Sequence, residues 1–328
     1  MKYNIIIKIV ILIIMTTINL LSGLNIMIYT NKNSGVFQKA GKFALDDLKS
    51  QNIEGIYGIV YDDYNPNMSI VNEWKRIYPY MKIFYVATRG KTLTMDSKIS
   101  FYRRMNQSTY TPDTYLNYND IPKDTSMTDF FFVKTDGGSG ANGVNVYKYM
   151  DLSTLKIQNS VIQKDIGIPD LYNNKRYKIR VHAILHDKNI YYFKKNWATI
   201  SGIDYNPLTD NQDLRNMNVI HQTATTLFII ANTIPDYDQI EQNILHALND
   251  VKYYYSLELT NINANEFGIL GIDFVVDKDK NVYIIEINHR SNYSHPIAIT
   301  DKTDIPCIRD LIKLLVTNSI DNTLLQKI

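Results

Sequence analysis

The sequence predicts an α/β protein that turns α+β in its second part, and three patterns predict it. Over roughly the first 90 residues, apolar strand-like runs alternate with helix-spaced segments, the pattern of a small parallel sheet with crossover helices. From Phe130 onward, two-residue alternation dominates, which is hairpin patterning. Between Lys134 and Val144, a glycine-rich run joins two strand patterns rather than a strand and a helix. The 328 residues are 45% hydrophobic and 21% charged, enough for two or three packed units. A formal net charge of +2 does not supply the basic field of a nucleic-acid-binding protein. The single cysteine, Cys307, excludes an intramolecular disulfide and a cysteine-rich zinc site.

Residues 1–23 form an apolar leader. Ile5 to Leu24 is mostly apolar, with Lys2 and Lys8 near its start, as in a signal peptide, an anchor or an extension into the first strand. Lys8, Thr16, Thr17 and Asn19 weaken the spanning reading, so a cytoplasmic and a membrane-tethered protein both stay open. Asn67, Asn106 and Asn292 head glycosylation sequons, which matter only in a secretory lumen.

Residues 24–95 carry strand, helix, strand, helix, strand. Leu24 to Thr30 is a buried strand, and Ser34 to Ser50 puts Val36, Phe37, Ala40, Phe43, Ala44 and Leu48 at helical spacing. Ile56 to Tyr61 and Lys82 to Ala87 are the next strands, separated by a helix over Ser69 to Tyr80 with Ser69 as its cap. No glycine fingerprint follows the first strand, which argues against a dinucleotide site there.

Residues 96–166 open with a short helix, Asp96 to Asn106, capped by Asp96 and carrying Lys98, Arg103 and Arg104. Phe130 to Tyr147 then reads as strand, glycine loop, strand. Gly138, Gly140 and Gly143 satisfy G-x-G-x-x-G, but a strand follows instead of a helix, and the Gly-Lys-Ser/Thr of a Walker loop is absent. What remains is a hairpin flap whose backbone N–H groups can lie against phosphates, with Lys134 at its base as a point charge. Ser160 to Ile166 is a further strand.

Residues 167–328 hold two hairpins and two helices. Tyr177 to Leu185 alternates, with Lys178, Arg180 and His182 on one face and Val181, Ala183 and Leu185 on the other; Ile190 to Thr199 is its return strand. His182 and His186 lack acidic or cysteine partners at ligand spacing, so neither is read as a metal ligand. Asp236 to Tyr254 and Asp301 to Val316 are amphipathic helices. Between them, Leu270 to Asn288 reads as two strands joined by the polar turn Asp277 to Asn281. Asp273, Glu286 and Asn288 break its apolar alternation. Pairing through that turn brings Asp273 near Glu286, and Asn288 shares the face of Glu286. Three hard oxygen donors on one sheet face suit Mg²⁺ held together with nucleotide phosphates; the plain alternative is an exposed hairpin with polar residues outward.

Taken in order, Phe132-Val-Lys134 with its glycine loop, Val161-Ile-Gln-Lys164, Arg176-Tyr-Lys-Ile-Arg180-Val, Tyr192-Phe-Lys194, Tyr205-Asn-Pro and Gly271-Ile-Asp273-Phe through Ile285-Glu286-Ile-Asn288 form a series. This series resembles the ATP-grasp superfamily, and within it the tubulin-tyrosine ligase-like family, over roughly residues 90 to 300. The resemblance implies an ATP-grasp fold: two α+β lobes, 96–166 and 167–328, sandwiching the nucleotide, preceded by a small parallel α/β domain. It implies that Lys98, Lys134 and the flap glycines Gly138, Gly140 and Gly143 meet phosphates. Gln163, with the Lys164 and Ile166 backbone, would meet adenine, and Arg180 the terminal phosphate. Lys194 would stand near the acyl-phosphate or the incoming amino acid. Asp273, Glu286 and Asn288 would hold Mg²⁺, with Asn216 or Asn218 as a further asparagine near the metal.

The implied reaction is an ATP- and Mg²⁺-dependent, ADP-forming ligation of a carboxylate to an amine through an acyl-phosphate. An amino acid would be added to a protein or peptide acceptor, such as an acidic tubulin-like tail. The rivals are the same chemistry on a small-molecule acceptor and a nucleotide-binding module without turnover. No side-chain nucleophile is needed and no G-x-S-x-G is present. Two departures stand out. Lys178 occupies the place where the family carries Asp, and His289 to Pro296 replaces its usual Pro-Ser turn.

Overall fold

The structure, a computed structural model, describes residues 23–31, 34–62, 66–87, 91, 97–137, 143–205, 227–289 and 296–328. The apolar leader up to residue 22, Asp96, the flap glycines Gly138 and Gly140, both candidate asparagines Asn216 and Asn218, and the sequon at Asn292 lie outside these residues. No helix among the described residues is long and apolar enough to cross a membrane.

The described residues begin with β1 (Leu24–Thr30), α1 (Ser34–Ser50), β2 (Gly55–Tyr61), α2 (Met68–Ile77) and β3 (Lys82–Val86). The three strands are parallel neighbours. Alternation sorts β1 cleanly: Leu24, Ile26 and Ile28 pack with α1, while Met27 and Tyr29 face the cluster around α2. On that second face Gly58 lets Trp74 approach, since a Cβ there would stand 2.7 Å from the indole. The α2 helix starts earlier than the pattern suggests. Asn67, not Ser69, is its cap, with Oδ1 accepting from Ile70 N–H at 3.3 Å.

Next come α3 (Lys98–Met105), β4 (Thr114–Tyr115), β5 (Phe130–Thr135), β6 (Val144–Lys148), α4 (Tyr149–Leu152) and β7 (Ser160–Lys164). Strands β4, β7, β5 and β6, in that order, make a separate four-stranded antiparallel sheet. Strands β5 and β6 pair on either side of the glycine segment, of which Gly137 and Gly143 are described. Gly143 sits at φ +79°, a conformation L side chains resist, and its carbonyl closes the hairpin by accepting from Thr135 N–H at 2.8 Å.

The remainder is β8 (Leu171–Tyr172), β9 (Lys175–His186), β10 (Asn189–Phe193), β11 (Trp197–Ile200), β12 (Leu227–Ile230), α5 (Tyr237–Tyr254), α6 (Ser256–Thr260), β13 (Glu266–Val276), β14 (Val282–His289), α7 (Ile297–Thr300), α8 (Asp304–Thr317) and β15 (Leu325–Lys327). The expected return strand is two strands. β10 pairs with the second half of β9 and β11 with the first, because the chain breaks at Lys194–Asn196, where Asn196 Oδ1 accepts from His182 N–H at 3.1 Å. The last helix is likewise interrupted, since Thr303 turns its hydroxyl back onto the Ile299 carbonyl at 2.9 Å before α8 begins.

Strand β13 joins the two halves of the large sheet. It pairs parallel with β3 on one side and antiparallel with β9 on the other, so the parallel unit and the later strands share one sheet of eleven strands among the described residues. Alternate residues of β9 and β13, from Tyr177 to Leu185 and from Leu270 to Val276, bury against Ile240, Ile244, Leu248 and Val251 of α5. On their opposite faces Ile184, Phe267 and Ile269 pack with α1 and α8, and the stretch around Lys178, Asp273 and Val275 is left to look at the four-stranded sheet.

Candidate functional site

The site grows from the register of three strands. Asp273 of β13 stands opposite Arg180 of β9 on one side and opposite Glu286 of β14 on the other. A bulge after Asp273 makes the second pairing possible: the register moves from Asp273↔Glu286 to Phe274↔Ile284 and skips Ile285. Without that extra residue, Glu286 would follow Val282 and Ile284 into the core, since side chains alternate faces. With it, Ile287 enters the core, and Glu286 and Asn288 share the face of Asp273.

Asp273 is fully buried and lies between two cations. Arg180 holds it through Nε to Oδ1 and through Nη2 to Oδ2 at 2.9 Å, and Lys178 Nζ reaches Oδ2 at 3.1 Å. Burial pushes the carboxyl up, but Arg180 and Lys178 together hold it well below the usual carboxylate range. Arg180 in turn stacks over Trp197, its partner on β11, at 5.9 Å. The Lys178, Arg180 and His182 face of β9 is therefore interior rather than solvated. Glu286 is more open and lies 3.4 Å from Lys98 Nζ, and Asn288 Nδ2 donates to the Gly271 carbonyl at 3.4 Å.

The four-stranded sheet supplies the opposite wall. Lys134, buried on β5, donates to Gln163 Oε1 at 2.5 Å, and Gln163 Nε2 donates to Thr114 Oγ1 at 3.0 Å. The hydrogen-bond partner of Lys134 is thus a neutral amide, and burial lowers its pKa to about 8. Lys98 is aimed by a device the sequence analysis missed. Ser97, not Asp96, caps α3, accepting from Ser100 N–H at 3.1 Å, and Asp136 accepts from Lys98 N–H at 2.8 Å and from the Ser97 hydroxyl at 3.0 Å. The base of the flap hairpin therefore holds the first turn of α3.

Between the walls lies a slot, open to solvent and lined by Phe132, Val144, Ile166, Val275, Ile285 and Arg176. A second hollow leads from it to Glu286 and Lys98; the two share Lys134, Gln163 and Ile285. Gln163 turns its amide toward Lys134 and Thr114, and the segment from Gln163 to Ile166 forms one wall of the slot. The Lys164 side chain points away, to Asp129 at 2.9 Å. Arg176 is bound to Asp165 at 3.1 Å and lies over Tyr205. It sits in the quoted motif, but its place in the slot depends on a strand crossing that no local pattern announces. Lys194 is exposed on the β10–β11 connection, its N–H donating to Leu324 O at 3.0 Å, and its side chain is not brought to Asp273 or Arg180 by any described contact.

Among the described residues, no three His, Cys, Asp or Glu side chains converge as a metal cage. The donor set is two carboxylates and an amide. That set fits Mg²⁺, which keeps several waters or phosphate oxygens and seldom takes an all-protein cage.

Comparisons with known proteins bear on the same residues. Residues 146–313 match the family model described as YheC/D-like ATP-grasp, a stretch that contains Gln163, Arg180, Asp273, Glu286 and Asn288. The chain is 21% identical over 222 residues to tubulin glycylase 3B of Tetrahymena thermophila, covering 58% of this chain and 18% of that protein. It is 24% identical over 178 residues to a probable tubulin–tyrosine ligase of Schizosaccharomyces pombe, covering 50% of this chain and 43% of the relative. The matches thus span less than half the length of either relative.

Proposed function

This chain belongs to the YheC/D-like ATP-grasp family, and from that premise we propose that it is an ATP-dependent ligase that joins an amino acid to a carboxylate of a protein or peptide. One observation carries the reading. Lys98, Lys134, Lys178 and Arg180 converge with Asp273 and Glu286 at the inner end of an apolar slot between two sheets. A flat apolar slot suits a base, and a cationic end beside two carboxylates suits a triphosphate and its divalent cation.

In this reading adenine lies between Phe132 and Val275, along the Gln163 to Ile166 edge. Lys134, Lys98 and the flap amides meet the phosphates, and Arg180 faces the terminal one. Asp273, Glu286 and Asn288 would hold Mg²⁺, which when bound neutralises charge on the phosphates. The acceptor carboxylate attacks the γ-phosphorus and ADP leaves. The acyl-phosphate so formed is attacked by the amine of the incoming amino acid, and inorganic phosphate leaves. The protein's part is to hold the reactants in line and to offset charge at fixed cations in a site shielded from water. Lys194, exposed near the edge of the sheet, meets the acceptor or the incoming amino acid. The names of the two relatives, a glycylase and a tyrosine ligase of tubulin, support a protein acceptor.

The test is incubation with Mg-ATP, single amino acids and candidate acceptors, acidic tubulin-tail peptides among them. A mass increase of one amino-acid residue on the acceptor, matched by ADP release, is expected. ADP release with no such product for any peptide, but with a small-molecule product, moves the reading to a small-molecule ligase.

A further inference from the structure

Lys178 has no role in the reaction as described above. It lies in the middle of β9 at 1% exposure, where lysines are almost never found unless paired. Its Nζ approaches Asp273 Oδ2 at 3.1 Å, the same oxygen that Arg180 Nη2 meets at 2.9 Å, while Arg180 Nε holds Oδ1. Both oxygens of the carboxylate are therefore engaged by cations before any ligand arrives. Across the pairing, Glu286 is met by Lys98 at 3.4 Å. Among the described residues, four cations stand against two carboxylates, a net +2. A bare divalent cation entering there would double that charge in an interior where repulsion is poorly screened. A polyphosphate arriving with it reverses the balance and gives Lys178 and Arg180 an alternative anion.

We propose that Lys178 is a positioning residue that makes divalent-cation binding at Asp273 conditional on the nucleotide: it occupies Oδ2 as an internal cation until phosphate oxygens draw it off. The proposal rests on the nucleotide reading above. It differs from a merely structural role, because a structural lysine would alter stability without altering the coupling between metal and nucleotide affinity.

The experiment titrates Mn²⁺ into the full chain, reading free Mn²⁺ by electron paramagnetic resonance. It is run with and without a non-hydrolysable ATP analogue and corrected for the analogue's own Mn²⁺ binding. Wild type, Lys178→Met and Lys178→Arg are compared. Wild type is expected to bind Mn²⁺ at least about tenfold more tightly with the analogue than without it. Lys178→Met, which keeps the Arg180–Asp273 pair, is expected to raise nucleotide-free affinity about tenfold and to shrink the coupling equally, and Lys178→Arg is expected to restore it. Equal Mn²⁺ affinity with and without a bound analogue in wild type overturns the proposal, whatever the variants do. So does unchanged nucleotide-free affinity in a folded Lys178→Met. Failure of wild type to bind the analogue at any Mn²⁺ concentration overturns the nucleotide reading itself, and this proposal with it.

Discussion

The two walls of the cleft present buried lysines in opposite electrostatic settings. On the large sheet, Lys178 shares a buried carboxylate with Arg180. On the small sheet, Lys134 is hydrogen-bonded to a neutral amide, and burial lowers its pKa. The first arrangement is closed on itself: its charges hold one another, and a ligand must compete for them. The second is open, because a buried ammonium hydrogen-bonded to an amide gains most from an incoming anion. Under the proposed function, Lys134 would capture phosphate first and the Asp273 cluster would assemble the metal site afterwards.

The largest expected effect on activity breaks the metal-site side at its half-buried member. Glu286→Gln should reduce ligation by about 100-fold or more while circular dichroism and the melting curve stay near wild type, measured as ADP release with acceptor present. Asp273→Asn breaks the same side from within. It removes the carboxylate that buried Lys178 and Arg180 share, and urea unfolding should show a loss of about 3–5 kcal/mol. Lys134→Met sharpens the contrast, because here removing a buried charge should stabilise the fold by about 1–2 kcal/mol while weakening binding of a fluorescent nucleotide by about tenfold. A loss of stability in Lys134→Met as large as in Asp273→Asn would erase the distinction between the walls.

The effect most remote from the chemistry lies behind the site. Asp304 at the start of α8 is fully buried, 3.6 Å from His182, and burial raises its carboxyl pKa to about 7. The folded state therefore holds a proton that the unfolded state releases near pH 4. Stability from this group declines as pH rises from about 4 to about 7 and is level above that. Asp304→Asn should flatten this slope, melting a few degrees above wild type at pH 8 and converging with it below about pH 4.

Much of this framework was legible because local pattern and tertiary burial agree. The first strand and helix run over Leu24–Thr30 and Ser34–Ser50 as the apolar spacing requires, and the two faces of β9 separate as its alternation says. The features that escaped depend on a residue's partner rather than its neighbours. The skipped Ile285 shows only in the pairing of β13 with β14; simple alternation over Val282 and Ile284 would bury Glu286. The break at Lys194–Asn196 is a choice between two partner strands for two halves of β9. Asp136 reaches Lys98 across 38 residues, and Lys178 finds Asp273 across 95. Lys178 was visible only as a departure from a familiar run; its burial against a carboxylate was not.

The ladder that carries β3 into β13 has a mechanical consequence. Asp273 belongs to a single hydrogen-bonded platform that reaches back to β1, so loosening that distant edge would disturb the carboxylate from behind. Among the described residues, the four-stranded sheet shares no strand pairing with this platform. Lys134 is therefore positioned by a second, separate set of ladders, and the cleft is the place where the two meet.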